Sequence, residues 1–374
     1  MTGLQDYLDS FDAEPGYLDW AKFGPLSPSV RAESHADAEL LASGRNSGID
    51  LVAGRAGEAR ELLADLLSTT VEHVTLQPST THGLMQAVYG LGGGILVSAR
   101  EFPSLTVAAQ RAGEVGRARP HWLHAAEGMV TPEAVREALA DAEDVAAVAV
   151  SAVDYRTGYR ADLPGLREVV GDRLLIVDAI QAFGVVDEDW DVADVVCGNG
   201  YKWLRAGRGT GFAAFSDRAL ERLTPVLSGF AGAESALDVF PVPPAASGAE
   251  AFTVSVPDHL ATARLATALR DVRDAGVSEI AQLVRARVRE IAALAERFGL
   301  PVLTPLEPHR HAGVIALTPD PADIAPLAAA LANHGIAASL RSGAVRMGAH
   351  AGTGEDSLRL LEDALTEFAG TRMR

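Results

Sequence analysis

The chain has 374 residues, 48% of them apolar and 22% charged, with 32 Lys and Arg against 50 Asp and Glu and a formal net charge of -18. That length exceeds what one hydrophobic core usually fills, so a large and a smaller unit are expected. The negative balance excludes a surface built to neutralise nucleic-acid phosphates or anionic lipid. An acidic start, no apolar run of membrane-spanning length and a single cysteine, Cys197, lead us to expect a cytoplasmic protein without an intramolecular disulfide, and the histidine spacing leads us to expect no metal.

In chain order, Pro78-Ser79-Thr80-Thr81-His82-Gly83-Leu84 leads into a helix whose apolar face is marked by Leu84, Ala87, Val88 and Leu91. Ser79 to Thr81 then stand at its amino end, where free amides and the helix dipole favour a phosphate; an ordinary Ser/Thr cap is the plainer alternative. Gly90 to Gly94 precedes a strand rather than following one, so it reads as a helix-to-strand turn and not as a dinucleotide fingerprint. The runs Ile95-Leu96-Val97, Val145 to Val150, Leu174 to Val177, Val195-Val196-Cys197 and Gly211 to Phe215 lack alternation, as strands covered on both faces do. Helical stretches such as Thr131 to Ala142, with Thr131 as cap and Pro132 in the first turn, lie between them. This alternation predicts an α/β fold with a mostly parallel central sheet flanked by helices.

Asp238 to Gly248, rich in Pro and Gly, reads as a connection. Two long helices, about His259 to Asp274 and Val277 to Phe298, follow it. They lead into a smaller α+β region with a strand at Gly313 to Leu317 and helices at Pro321 to His334 and Glu355 to Phe368. The organisation expected is an amino-terminal segment 1–16, a large domain 17–250, and linking helices with a small carboxyl-terminal domain 251–374.

Of the 32 basic residues only Lys22 and Lys202 are lysine. Arginine cannot lose its proton to become a nucleophile, so these two are the candidates for amine chemistry. Lys202 lies just past a buried strand in Gly198-Asn199-Gly200-Tyr201-Lys202-Trp203-Leu204, where the flanking rings would lower its pKa by desolvation. An amine so placed can form an imine with an aldehyde cofactor. Asp178, after the strand Leu174 to Val177, falls at the carboxyl edge where open sheets bind ligands. It either caps the next segment or pairs with a pyridinium nitrogen. Phe102, in Arg100-Glu101-Phe102-Pro103-Ser104, either joins the core or stacks on a flat ring at the same edge.

Phosphate cradle, ring platform, nitrogen partner and imine lysine in this order resemble class V aminotransferases of the fold-type-I pyridoxal-phosphate superfamily, which also holds cysteine desulfurases and kynureninase. The resemblance runs from about Tyr17 to Phe368, and its most specific pieces are Val177-Asp178-Ala179-Ile180-Gln181-Ala182-Phe183-Gly184 and Gly200-Tyr201-Lys202-Trp203-Leu204. It implies that the cofactor is pyridoxal 5'-phosphate, with Lys202 as the imine lysine, Asp178 on the pyridine nitrogen and Gln181 on the ring hydroxyl oxygen. It further implies that Thr80 (through its amide), Thr81 and Tyr201 hold the phosphate and that Phe102 stacks on the ring. By the same resemblance Arg346, in Gly343-Ala344-Val345-Arg346-Met347, clamps the substrate carboxylate, Arg341 is its reserve, and Asn46 and Ser47 line the entrance.

Departures from the family pattern narrow the reaction. His334 to Val345 holds no cysteine, so persulfide chemistry of the desulfurase kind is not expected. Tyr155 stands where many members have asparagine. Kynureninases tolerate that tyrosine and share the Phe-Pro and Tyr-Lys pairs, but Leu105 and Gln181 replace residues expected of them. Val256, in Phe252-Thr253-Val254-Ser255-Val256-Pro257, replaces a polar side chain in the segment that, by resemblance, reaches a neighbouring subunit. The expectation is a homodimeric aminotransferase acting on an amino acid or related amine. A carbon-sulfur or carbon-carbon lyase is the alternative, and a non-catalytic cofactor binder is the rival from another class.

Overall fold

The computed structural model describes residues 2–125, 129–235, 240–341 and 343–372. Seven strands, β1 (Val74–Gln77), β2 (Gly94–Ser98), β3 (Arg119–Leu123), β4 (Val145–Ser151), β5 (Leu174–Asp178), β6 (Val195–Asn199) and β7 (Gly211–Phe215), form one sheet in the order β1-β7-β6-β5-β4-β2-β3. β3, β2, β4, β5 and β6 pair in parallel, whereas β7 runs antiparallel to both β6 and β1. Each apolar run read from the sequence is therefore a strand of this sheet.

β1 and β3 were not legible as strands, and both lie at sheet edges. β1 reads Val-Thr-Leu-Gln, and β3 carries a proline and mostly solvent-facing side chains, so neither shows the unbroken apolar run of a strand covered on both faces.

Alternate residues of the central strands feed two cores. Ile95, Val97, Ala149, Ile176 and Cys197 pack under the helices Thr80–Gly90 and Pro103–Glu114. Leu96, Val148, Val150, Leu175 and Val177 point to the opposite face. Both faces are covered, which is why these strands show no alternation.

The helices His259–Ala275 and Val277–Arg297 follow the connection, of which residues 238 and 239 lie outside the described residues. A second sheet is antiparallel in the order β8-β10-β9, from β8 (Val314–Leu317), β9 (Ser339–Arg341) and β10 (Ala344–Gly348). It packs on the helices Val277–Arg297, Ile324–Asn333 and Glu355–Arg372 through Val288, Ile291, Leu327, Leu361 and Phe368.

Residues 17–24 link the neighbourhoods of the two sheets. Tyr17 bridges to Ala337 and Asp19 to Gly348, and a few residues later the Gly24 amide donates to the Tyr201 carbonyl at 2.9 Å. Among the described residues no helix is long and apolar enough to cross a membrane, and no cluster of His, Cys, Asp and Glu is arranged to hold a metal ion.

Candidate active site

Parallel strands bring their carboxyl ends to one edge, and the functional candidates collect there. Lys202 follows β6 in a tight turn: Asn199 Oδ1 accepts from the Tyr201 amide at 3.1 Å and the Thr210 hydroxyl at 3.0 Å. The backbone of Gly24 presses on the Lys202 carbonyl so closely that a methyl group there would collide with it. Lys202 is 6% exposed, with Nζ 6.0 Å from the centre of the Phe102 ring and 5.7 Å from that of Tyr201. Burial pushes its pKa down to about 7; Asp178 opposes this, and the positive charges of Arg346, Arg341 and Arg208 add to it. Lys22, by contrast, is exposed and paired with Asp19 at 3.6 Å, so Lys202 alone has the surroundings of a reactive amine.

Asp178 ends β5 and is 2% exposed. Burial pushes its pKa up to about 6, against a hydrogen bond from the Ile180 amide at 3.0 Å and the charge of Lys202. A buried acid and a buried amine are thus both driven toward their neutral forms, and desolvation is the cause in each case.

The helix Thr80–Gly90 starts at the same edge. Ser79 caps it, accepting from the His82 amide at 3.3 Å, and the amides of its first turn have no intrahelical acceptor. Thr80 Oγ1 is buried without a partner among the described residues. Thr81 Oγ1 meets Ser104 Oγ at 2.8 Å, so the amino ends of the helices Thr80–Gly90 and Pro103–Glu114 converge. Tyr201 is half-buried beneath the Arg208 guanidinium, 4.5 Å from its ring centre, and burial raises the pKa of its phenol. Two helix amino ends, an orphaned hydroxyl and an arginine are groups that could hold a phosphate. Beside it lie a half-buried ring, a buried acid and a low-pKa amine. These surroundings fit a flat aromatic aldehyde bearing a phosphate.

On the side of the small sheet, Arg346 is 2% exposed on β10. It donates to the Tyr155 carbonyl at 2.8 Å and lies 3.7 Å from Asp19, while its Nε has no partner among the described residues. Asp19 is in turn held by the Ser339 hydroxyl at 2.8 Å. Ser339 opposes Arg346 in register, so Arg341, two residues along β9, projects from the same face and is exposed. Gln181 donates to the Ala21 carbonyl and accepts from the Trp203 indole, both at 3.0 Å, leaving one amide hydrogen for a ring oxygen. Asn46 and Ser47 open the helix Asn46–Ala53; both are exposed, and that helix packs on the helices Pro28–Ala42, Arg55–Leu66 and His259–Ala275.

Sequence reasoning missed Asp19 and Glu101. Asp19 lies 327 positions before Arg346 in the chain (346 minus 19), and no local spacing relates the two. Glu101 stands next to Phe102, and nothing in the local sequence marks it as buried. Cys197 lies wholly buried on β6, and burial raises its thiol pKa well above the ordinary value.

A model of the family described as aminotransferase class-V matches residues 50–352. The kynureninase of Deinococcus radiodurans is 31% identical over 173 residues, 44% of this chain and 42% of that enzyme, so this match spans under half of the relative. The kynureninase of Bacillus anthracis is 26% identical over 91% of this chain and 85% of its own. Among solved structures, a cysteine desulfurase from Thermococcus onnurineus superposes with a TM-score of 0.83 at 18% identity, covering 96% of this chain and 95% of that one. The cystine C-S lyase C-DES, solved with its product cysteine persulfide, gives 0.84 at 19% identity over 96% and 98%. At such identities the structural likeness carries the fold.

Proposed function

The chain belongs to the class V aminotransferase family, and from that membership we propose that it is a pyridoxal-phosphate enzyme acting on the amino group of an amino acid, with Lys202 as its cofactor lysine. The carrying observation is the buried Lys202 amine, whose pKa near 7 leaves about half of it free of its proton at neutral pH, beside the buried Asp178. When bound, the cofactor supplies an aldehyde for an amine and a ring that draws electrons from the substrate's α-carbon. The amides of Thr80 and Thr81, with Tyr201 and Arg208, would hold the phosphate, and Phe102 would flank the ring. Asp178 would keep a proton on the ring nitrogen. Lys202 Nζ would take the α-proton and return it, because a pKa close to the working pH suits both directions. Arg346 would orient the substrate carboxylate through its guanidinium.

Transamination is our first reading of the outcome, since it asks only for one group that takes and returns a proton. Side-chain cleavage is the second, supported by the kynureninase relatives and by Tyr155, whose ring meets Phe102 edge-on at 5.1 Å. A protein persulfide has no support, because the chain's single cysteine lies inside the sheet. We also propose that the enzyme is cytoplasmic and a homodimer; Phe230, Val254 and Val256 supply an exposed apolar face for the second subunit.

Borohydride reduction of the purified protein, followed by peptide mass spectrometry, should place the cofactor mass on Lys202, and Lys202→Ala should lose it. An adduct on Lys22, or on no lysine, overturns the assignment. Product analysis across amino acids then separates a keto acid with transferred nitrogen from released alanine or pyruvate. A cofactor spectrum unmoved by every amino acid would instead support a binder without turnover.

A further inference from the structure

Glu101 has no role in the reading above, yet it is buried at the same strand edge. It lies in the turn between β2 and the helix Pro103–Glu114 and is 9% exposed. Oε1 accepts from the Ser151 amide at 3.0 Å, and Oε2 meets the Ser151 hydroxyl at 2.5 Å. Ser151 is the last residue of β4 and stands opposite Asp178 in register. No cation pairs with Glu101 among the described residues. The charged groups that act on it are Asp154, from the turn after β4 and ion-paired to Arg156 at 2.7 Å, and Asp178, from β5. Arg100, its neighbour in the turn, is exposed. A carboxyl group buried without a cation and beside two acids is expensive to hold, and an exposed turn residue would close the same turn without that cost.

We propose that Glu101 is a positioning residue, whose two-point grip on Ser151 locks the Phe102 platform to the strand edge and whose charge is felt by Asp178. The contacts run onward from it. Phe102 follows Glu101 directly and packs edge-on against Tyr155, and the Tyr155 carbonyl holds Arg346. A shift of Ser151 would therefore move both the ring platform and the support of the carboxylate-binding arginine. Burial pushes the Glu101 acid up to about 7; the Ser151 hydrogen bonds oppose this, and the nearby Asp154 and Asp178 add to it. The group thus changes charge near neutrality, and its ionised form favours a protonated Asp178 by like-charge repulsion.

This inference rests on Lys202 as the cofactor lysine, so every variant is first checked by borohydride trapping. Loss of the adduct in the unmutated protein would sink that assignment and leave the grip to be tested by thermal stability of the cofactor-free variants. In the holoenzyme, the absorption of the bound cofactor is titrated from acid to alkaline pH. Glu101→Gln can keep both Ser151 contacts, accepting through oxygen and donating through nitrogen, so it should retain the cofactor while its spectral transition moves by roughly one pH unit or disappears. Glu101→Ala and, should that variant not fold, Ser151→Ala should weaken cofactor retention roughly tenfold, the effect of losing about one hydrogen bond to a charged group. A Glu101→Gln titration that overlays the parent curve, or an alanine variant that retains cofactor as tightly as the parent, would overturn the proposal.

Discussion

Replacing Lys202 by methionine should make the cofactor-free protein more stable. Methionine keeps an unbranched side chain of similar length and removes the amine from a site that is 6% exposed. In the unfolded chain the amine has its ordinary pKa of 10.5, and in the folded chain burial lowers this to about 7. Between those values the unfolded state holds a proton that the folded state has released. The stability of the unmutated protein therefore rises with pH across that window, and the penalty from Lys202 is full at and below about pH 7. The interval from about 7 to 10.5, at roughly 1.4 kcal/mol per unit, sets an upper figure of about 5 kcal/mol. Part is returned, because Asp178 loses the lysine charge and its own buried acid is driven further up. A net gain of about 2–4 kcal/mol at pH 7 remains. Urea unfolding of both proteins without cofactor, at steps from pH 6 to pH 10, would measure it. The two stabilities should converge toward the alkaline end. A methionine variant less stable at pH 7, or an unmutated protein whose stability is flat across this range, would refute the reasoning.

Asp178→Asn should leave the fold intact and lower turnover on the order of 10²-fold or more, since an amide cannot hold the ring nitrogen's proton; unchanged kcat on any accepted amino acid would contradict its role. Arg346→Gln should raise KM for carboxylate-bearing substrates roughly 10- to 100-fold, the worth of a charge-assisted hydrogen bond, while an amine lacking the carboxylate should lose far less. Gly211→Ala would put a methyl group 2.6 Å from Ser79 N and Cα. It should displace the first turn of the helix Thr80–Gly90 and weaken cofactor binding at low phosphate, and equal affinity by spectral titration would argue against that turn as the phosphate cradle.

The candidate site residues were legible because each lies beside a local signal. Lys202 is one of two lysines and lies a few residues past an apolar run, and Asp178 closes another. The Ser79 cap shows in the Leu84, Ala87, Val88, Leu91 periodicity that follows it. The five central strands were readable for the same reason: full burial on two faces demands an unbroken apolar run. Edge strands make no such demand, and β1 and β3 left no mark. Gln181 and Arg346 were legible as residues but not as partners. The contacts of Gln181 with Ala21 and Trp203, and of Arg346 with Asp19, join segments far apart in the chain.

By itself the sequence determined the α/β architecture, the family and the two lysines that are candidates for amine chemistry, because apolar periodicity and residue identity are local properties of a chain. The tertiary structure alone decided between Lys22 and Lys202 as the desolvated amine. It also paired Arg346 with Asp19, and it buried Glu101 against Ser151 beside Asp178. Desolvation and charge proximity arise only when distant segments meet, so they cannot be written in any one of those segments.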